Sequence, residues 1–158
     1  MEITFVAFDQ RFLQHSSKWL QDEEIRMLIQ ASPFSAEQQQ QWFEQLPTRK
    51  NYLIWGVECN HQPIAVTGLK NVTATDAEYW GYIGEKEYWG KGIGKQMMQF
   101  IEDEASRLKL NNIYLHVSVT NQRAIVSYKK SGFSIISTKD DLMMMGKSVE
   151  QKRTEEQP

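Results

Sequence analysis

Three glycines at alternate positions, Gly90, Gly92 and Gly94, lie in the run Tyr88-Trp89-Gly90-Lys91-Gly92-Ile93-Gly94-Lys95, between a strand-like segment and a strongly helical one. A loop with so little side chain lets backbone N–H groups converge on an anion at the N-terminus of the following helix. Lys91 and Lys95 add positive charge at its mouth. The spacing points to a diphosphate cradle, set against the plainer reading of an ordinary glycine-rich turn. Two other phosphate-binding schemes fail on spacing. A P-loop needs Ser or Thr directly after Gly94-Lys95 and a further glycine five positions before Gly94, where the chain has Gln96 and Trp89. A dinucleotide fingerprint needs its third glycine at Lys95 and an early place in a βαβ unit.

The elements that must hold this loop follow from periodicity and turn chemistry. Ile3 to Phe8 reads as a strand, with a helix beginning near Asp9 or Gln10 and more helical pattern from Asp22 to Ile29. Ser35 and Gln38 make a capping box, which predicts a helix to about Leu46, ended by Pro47. Gln38 to Gln41 read as the solvated face of that helix. Strands Tyr52 to Glu58 and Ile64 to Lys70 flank a turn, Cys59-Asn60-His61-Gln62-Pro63, in which His61 is a turn residue rather than a ligand. The strand Ala77 to Ile83 leads into the glycine loop, and Met97, Met98, Ile101, Ala105 and Leu108 mark the inner face of a helix from Gly94 to Leu108. Asn112 to Val119 alternates as a half-buried strand, with Tyr114, His116 and Ser118 on its polar face. A helix from Asn121 to Lys130, closed by Gly132, precedes strands Phe133 to Thr138 and Leu142 to Gly146, where core positions are expected for Met143 to Met145.

Composition bounds the function classes. The 158 residues suit one domain, residues 1–147, followed by a polar, flexible tail over 148–158. A formal net charge of -2 gives no global pull toward nucleic acid. The single cysteine, Cys59, excludes an intrachain disulfide and suits a reducing compartment. No leader-like or membrane-spanning segment stands out, so the expectation is a cytoplasmic protein, monomer or homodimer, with neither membrane nor nucleic acid as partner.

Gly92-Ile93-Gly94 with its flanking lysines fits the second half of the coenzyme A loop of the GCN5-related N-acetyltransferase (GNAT) family, and Asn121, Ala124, Tyr128, Gly132 and Phe133 fit a second family element. The chain resembles that family from about Ile3 to Gly146. It departs from the pattern at Trp89, where the family carries Gln or Arg. The resemblance implies an α/β (α+β) fold of a single domain, with a mixed, mostly antiparallel sheet of about seven strands, flanking helices and a splayed strand pair at the coenzyme site. It implies acetyl-CoA as donor, no metal, and a small-molecule amine as acceptor. By position, Tyr82, Ile83 and Gly84 would face the pantetheine arm, Trp89, Gly90, Lys91, Gly92, Ile93, Gly94 and Lys95 the diphosphate, and Asn121, Ala124 and Tyr128 the rest of the coenzyme. Asn121 equally makes an ordinary helix N-cap.

Tyr128 matches the family tyrosine that returns a proton to the thiolate. His116 and Glu78 compete as base, with bulk water the third possibility. His116 stands where similar ribosomal-protein alanine acetyltransferases carry a glutamate. Glu78 matches an acidic position in polyamine and ribosomal-protein relatives. For the acceptor, Phe34, Tyr79 and Trp80 are candidate contacts, from an aromatic supply that includes Trp19, Trp42 and Tyr82. Trp19-Leu20, Trp42-Phe43 and the Tyr88-to-Gly92 run look like the subgroup acting on nucleotide-linked amino sugars, whose diphosphate would meet Arg26, Lys50 or Lys70. A protein N-terminus, a polyamine, and a non-catalytic acyl-CoA-binding module remain alternatives.

Overall fold

The computed structural model describes residues 1–151. Seven strands form one sheet: β1 (Ile3–Ala7), β2 (Leu53–Cys59), β3 (Gln62–Lys70), β4 (Asp76–Ile83), β5 (Asn112–Ser118), β6 (Ser134–Lys139) and β7 (Leu142–Ser148). Their order is β1-β2-β3-β4-β5-β7-β6, and every neighbouring pair is antiparallel except β4 with β5. The helices are α1 (Gln10–Trp19), α2 (Glu23–Leu28), α3 (Ala36–Gln45), α4 (Ile93–Arg107) and α5 (Gln122–Lys130). The mixed, mostly antiparallel sheet of seven strands is the one expected.

Four helices start on a side-chain cap that the sequence supplies. Asp9, Asp22 and Asn121 accept from the backbone N–H three residues on, at 3.1, 3.2 and 3.3 Å, and Ser35 with Gln38 closes the capping box of α3. Helix α4 has no such cap; Gly92 occupies its N-cap position in the left-handed region, φ +80. The β2–β3 turn is Asn60-His61, both at positive φ, so His61 is a turn residue as expected.

Alternation along the strands makes two packed faces. Leu69, Ala77, Tyr79, Ile113, Leu115 and Val117 meet Met98, Ile101 and Ala105 of α4 and Ile125 of α5. On the opposite face Val66 and Tyr82 meet Trp19 of α1 and Ile25 of α2. Each such fully buried aliphatic side chain contributes about 1.5–3 kcal/mol through apolar burial.

One discontinuity in the sheet matters most. The β4–β5 ladder consists of Asp76↔Asn112, Ala77↔Ile113 and Glu78↔Tyr114, although both strands run on. Beyond Glu78 each follows its antiparallel partner instead, β4 paired with β3 to Ile83 and β5 with β7 to Ser118. The expected splayed pair is therefore present, and its apex is at Glu78 and Tyr114.

Several boundaries differ from expectation by one or two residues, and three of them bear on the site or the core. The first strand stops before Phe8 because the chain turns there for Asp9 to cap α1. Tyr52 precedes its strand. At the other end β7 continues to Ser148, Val149 is buried in the main core, and Gln151 Nε2 donates to the Leu110 carbonyl at 2.7 Å. The packed body thus extends beyond residue 147. Residues 152–158 of the expected tail lie outside the described residues.

Candidate active site

The glycine loop occupies the gap between the end of β4 and α4. Gly90 and Gly92 both have positive φ, +76 and +80, a region in which an L side chain is strained. A Cβ at Gly92 or Gly94 would meet nothing within 4 Å, so these glycines leave open space in front of the helix. With no side-chain cap and no acidic residue in the first turn, the leading N–H groups of α4 are free to receive an anion. The residues fit a diphosphate, which Gly92, Ile93, Gly94 and Lys95 would hold through backbone N–H groups.

Trp89 has a role within the fold. Its Nε1–H donates to the Ile83 carbonyl at 2.9 Å, and the Lys86 ammonium lies 5.5 Å from its ring centre. The residues expected at the pantetheine arm make contacts of their own. The Ile83 carbonyl is engaged by Trp89, and the Gly84 N–H donates to the Ile64 carbonyl at 2.8 Å. The Tyr82 ring packs edge-on against Trp19 and is buried. Asn121 is the N-cap of α5, as its type allows, and Ala124 is partly buried against the main core.

Behind the splay lies a cavity of about 370 Å³. Glu78, Trp80 and Tyr82 enter it from β4, His116 from β5, Lys70 from β3, Trp42 from α3 and Tyr128 from α5. Tyr79 and Tyr128 belong to the opposite face of the sheet and reach the cavity through the opening between β4 and β5. The splay is thus what lets groups from both faces meet.

At the apex the two competing bases form a pair. His116 Nδ1 lies 2.8 Å from Glu78 Oε2, while Glu78 Oε1 accepts from Asn71 Nδ2 at 3.1 Å and Lys70 Nζ stands 3.9 Å away. Glu78 is 7% exposed, so its position is set by these partners rather than by water. Asn71 makes its bond from a left-handed backbone, φ +53, at the end of β3, a conformation Asn tolerates better than most residues. With the proton on Nδ1 donated to the carboxylate, the imidazole keeps a lone pair on Nε2 for the cavity. Tyr128 packs edge-on to Tyr79, with ring centres 6.4 Å apart, and burial pushes its hydroxyl up to about 12. It is a phenol that keeps its proton throughout the neutral range.

The acceptor side of the cavity is aromatic. Trp42 meets both Phe8 and Tyr52 edge-on, and Tyr52 lies against Trp80 with ring centres 5.9 Å apart. All three sequence candidates, Phe34, Tyr79 and Trp80, line it. Phe8 and Tyr52 were missed as cavity residues because each reads as the end of a strand, whereas it lies just outside one and turns into the cavity. The solvated-face reading of the glutamines is corrected for Gln39, which is 6% exposed and bonded to Ser16 and Ser17 of α1. Of the three candidate cations, Lys70 alone lines the cavity; Arg26 is bonded to the Leu20 carbonyl. Arg49 lies 4.6 Å over the Tyr52 ring and was not anticipated.

Next to the cavity, and sharing Leu28 and Gln30 with it, runs an open cleft of about 870 Å³. Glu23, Glu24, Asp140 and Asp141 line it, and among the described residues no lysine or arginine does. Among the described residues no group of three or more His, Cys, Asp or Glu could hold a metal ion, and no helix is long and apolar enough to cross a membrane.

The Acetyltransferase (GNAT) family model matches residues 17–133. Among solved structures, a spermidine N-acetyltransferase from Vibrio cholerae in complex with CoA and spermine is similar at TM-score 0.86 and 20% identity, covering 93% of this chain and 95% of that one. The N-acetyltransferase PseH of Campylobacter jejuni in complex with acetyl coenzyme A is similar at TM-score 0.73 and 19% identity, covering 93% and 99%. A domain from Methanocaldococcus jannaschii is similar at TM-score 0.81 and 18% identity, covering 93% and 98%. At these identities the structures speak for the fold.

Proposed function

The chain belongs to the acetyltransferase (GNAT) family and is an acetyl-CoA-dependent N-acetyltransferase, and we propose that it works by direct attack of a primary amine, with His116 as base and Tyr128 as acid. The observation that carries this reading is the His116–Glu78 contact at the apex of the splay, in the cavity that Tyr128 also lines. Acetyl-CoA supplies the acetyl group as a thioester and departs as the thiol.

His116 Nε2 takes the proton that the amine must lose as its new C–N bond forms, and Glu78 stabilises the imidazolium that results. Asn71, bonded to the other carboxylate oxygen, keeps Glu78 turned toward the ring rather than toward Lys70. The Tyr128 hydroxyl gives its proton to the sulfur as the C–S bond breaks, and regains one from water. His116 returns its own proton to solvent, so each turnover closes.

For the acceptor we favour an amine carried on a ring-bearing molecule, such as a nucleotide-linked amino sugar. Phe8, Phe34, Trp42, Tyr52 and Trp80 offer faces and edges against which a ring packs, each pair contributing about 0.5–1.5 kcal/mol beyond burial. Among the described residues the one carboxylate lining the cavity, Glu78, is already committed to His116, and Lys70 is the cation beside it. Among the described residues a polyamine finds no free carboxylate there.

A polyamine is the second reading, favoured by the four carboxylates of the adjoining cleft. Competing a nucleotide-linked amino sugar against spermidine at low and high salt separates the two. The first reading expects the larger kcat/KM for the amino sugar and little salt dependence. A larger value for spermidine that collapses with salt would give the second.

A further inference from the structure

The space that a side chain on Gly90 would fill is taken by a residue far along the chain. Arg123 Nη2 lies 2.8 Å from where a Cβ on Gly90 would stand, so the guanidinium is laid over the glycine loop. Arg123 is exposed, in the first turn of α5, and among the described residues it makes no hydrogen bond or ion pair. Asn121 fixes where this helix begins, by capping it through the Ala124 N–H, and so fixes where Arg123 projects.

The loop beneath it is rich in donors and positive charge. Lys91 and Lys95 flank the uncapped start of α4, and no acidic residue occupies its first turn. Cations at the positive end of a helix repel both the dipole and each other unless an anion lies between them. Trp89 cannot serve as a polar contact to that anion, because its indole N–H is turned back to the Ile83 carbonyl.

We propose that Arg123 is a coenzyme-binding residue that contacts the diphosphate from above the glycine loop, supplying the polar side chain that position 89 lacks. The inference rests on the reading of the loop as the coenzyme site. A planar guanidinium can pair with two phosphate oxygens at once, a geometry that suits a group reaching over a loop whose own N–H groups approach from below. Its position over Gly90 points to the diphosphate rather than the 3′-phosphate.

Titration calorimetry with coenzyme A and with dephospho-coenzyme A, on the wild type, Arg123→Ala, Arg123→Lys and Gly92→Val, tests this. Arg123→Ala should weaken both ligands by the same factor, about tenfold, and Arg123→Lys should recover part of the loss. Equal affinity for wild type and Arg123→Ala would overturn the inference, as would a loss confined to coenzyme A, which would assign the 3′-phosphate instead. If Gly92→Val weakens binding while Arg123→Ala leaves both affinities unchanged, the cradle stands and the arginine's role falls. No binding by the wild type would remove the loop reading itself.

Discussion

Around the glycine loop the chain exposes backbone at an uncapped helix start, whereas the cavity behind the β4–β5 opening is walled by side chains drawn from most of the fold. The loop is a run of consecutive residues, two of them at positive φ, followed by an uncapped helix. The cavity collects Phe8, Trp42, Tyr52, Trp80, His116 and Tyr128 from six separate stretches. A site made of backbone should tolerate an unusual side chain such as Trp89, but not a change in conformation. A site made of side chains has the opposite sensitivities, and single substitutions can be chosen to exploit the difference.

The largest effect is expected at the junction of the two. Tyr128→Phe should lower kcat by about a hundredfold, within the range of general acid catalysis, while the coenzyme dissociation constant stays put. An unchanged kcat would remove Tyr128 as the acid. Because burial raises its hydroxyl to about 12, the folded chain keeps this proton where an unfolded one, near 10, has lost it. Stability should therefore be fully retained below about pH 10 and decline toward pH 12. Tyr128→Phe should lessen that decline in alkaline melting experiments.

Gly92→Val comes next, on the backbone side. It forces a β-branched residue into a left-handed conformation that costs about 1–2 kcal/mol, and the relaxed loop should bind the coenzyme more than tenfold less well. Acceptor KM should hardly move. Glu78→Gln should reduce kcat about tenfold by removing the charge that stabilises the His116 imidazolium, with both Michaelis constants little altered. Asn71→Gly keeps the left-handed backbone but loses the amide, and should reproduce part of that loss. If it has no effect, Asn71 does not position Glu78. The smallest effect belongs to the acceptor wall, where Trp42→Ala should raise acceptor KM by about fivefold and leave the coenzyme constant unchanged. A matching rise for the coenzyme would erase the division between the two halves.

The same division explains what could be read from the chain beforehand. The conformation of the loop, the Asn121 cap and the helix that carries Tyr128 follow from local spacing, so they were legible, as were all seven strands and five helices. Contacts made across the chain were not. The carbonyl of Ile83 was spent on a tryptophan six residues on, and the N–H of Gly84 on Ile64 of a neighbouring strand. Gln39 shares its neighbours' composition but is buried because Ser16 and Ser17 of α1 meet it. His116 and Glu78 looked like rivals for one role, since nothing in two separate strands announces that a parallel pair will end just where their side chains meet. Arg123 offered one signal, a charged residue in the turn after Asn121, without a hint that it lies over Gly90.

The central claim, a catalytic transfer rather than mere retention of the coenzyme, is tested most directly by the release of free thiol from acetyl-CoA with and without an amine panel spanning nucleotide-linked amino sugars, polyamines and peptide N-termini. The account predicts thiol release that depends on the amine and is nearly lost in Tyr128→Phe. Tight binding of acetyl-CoA with no amine-dependent release across the panel would contradict it.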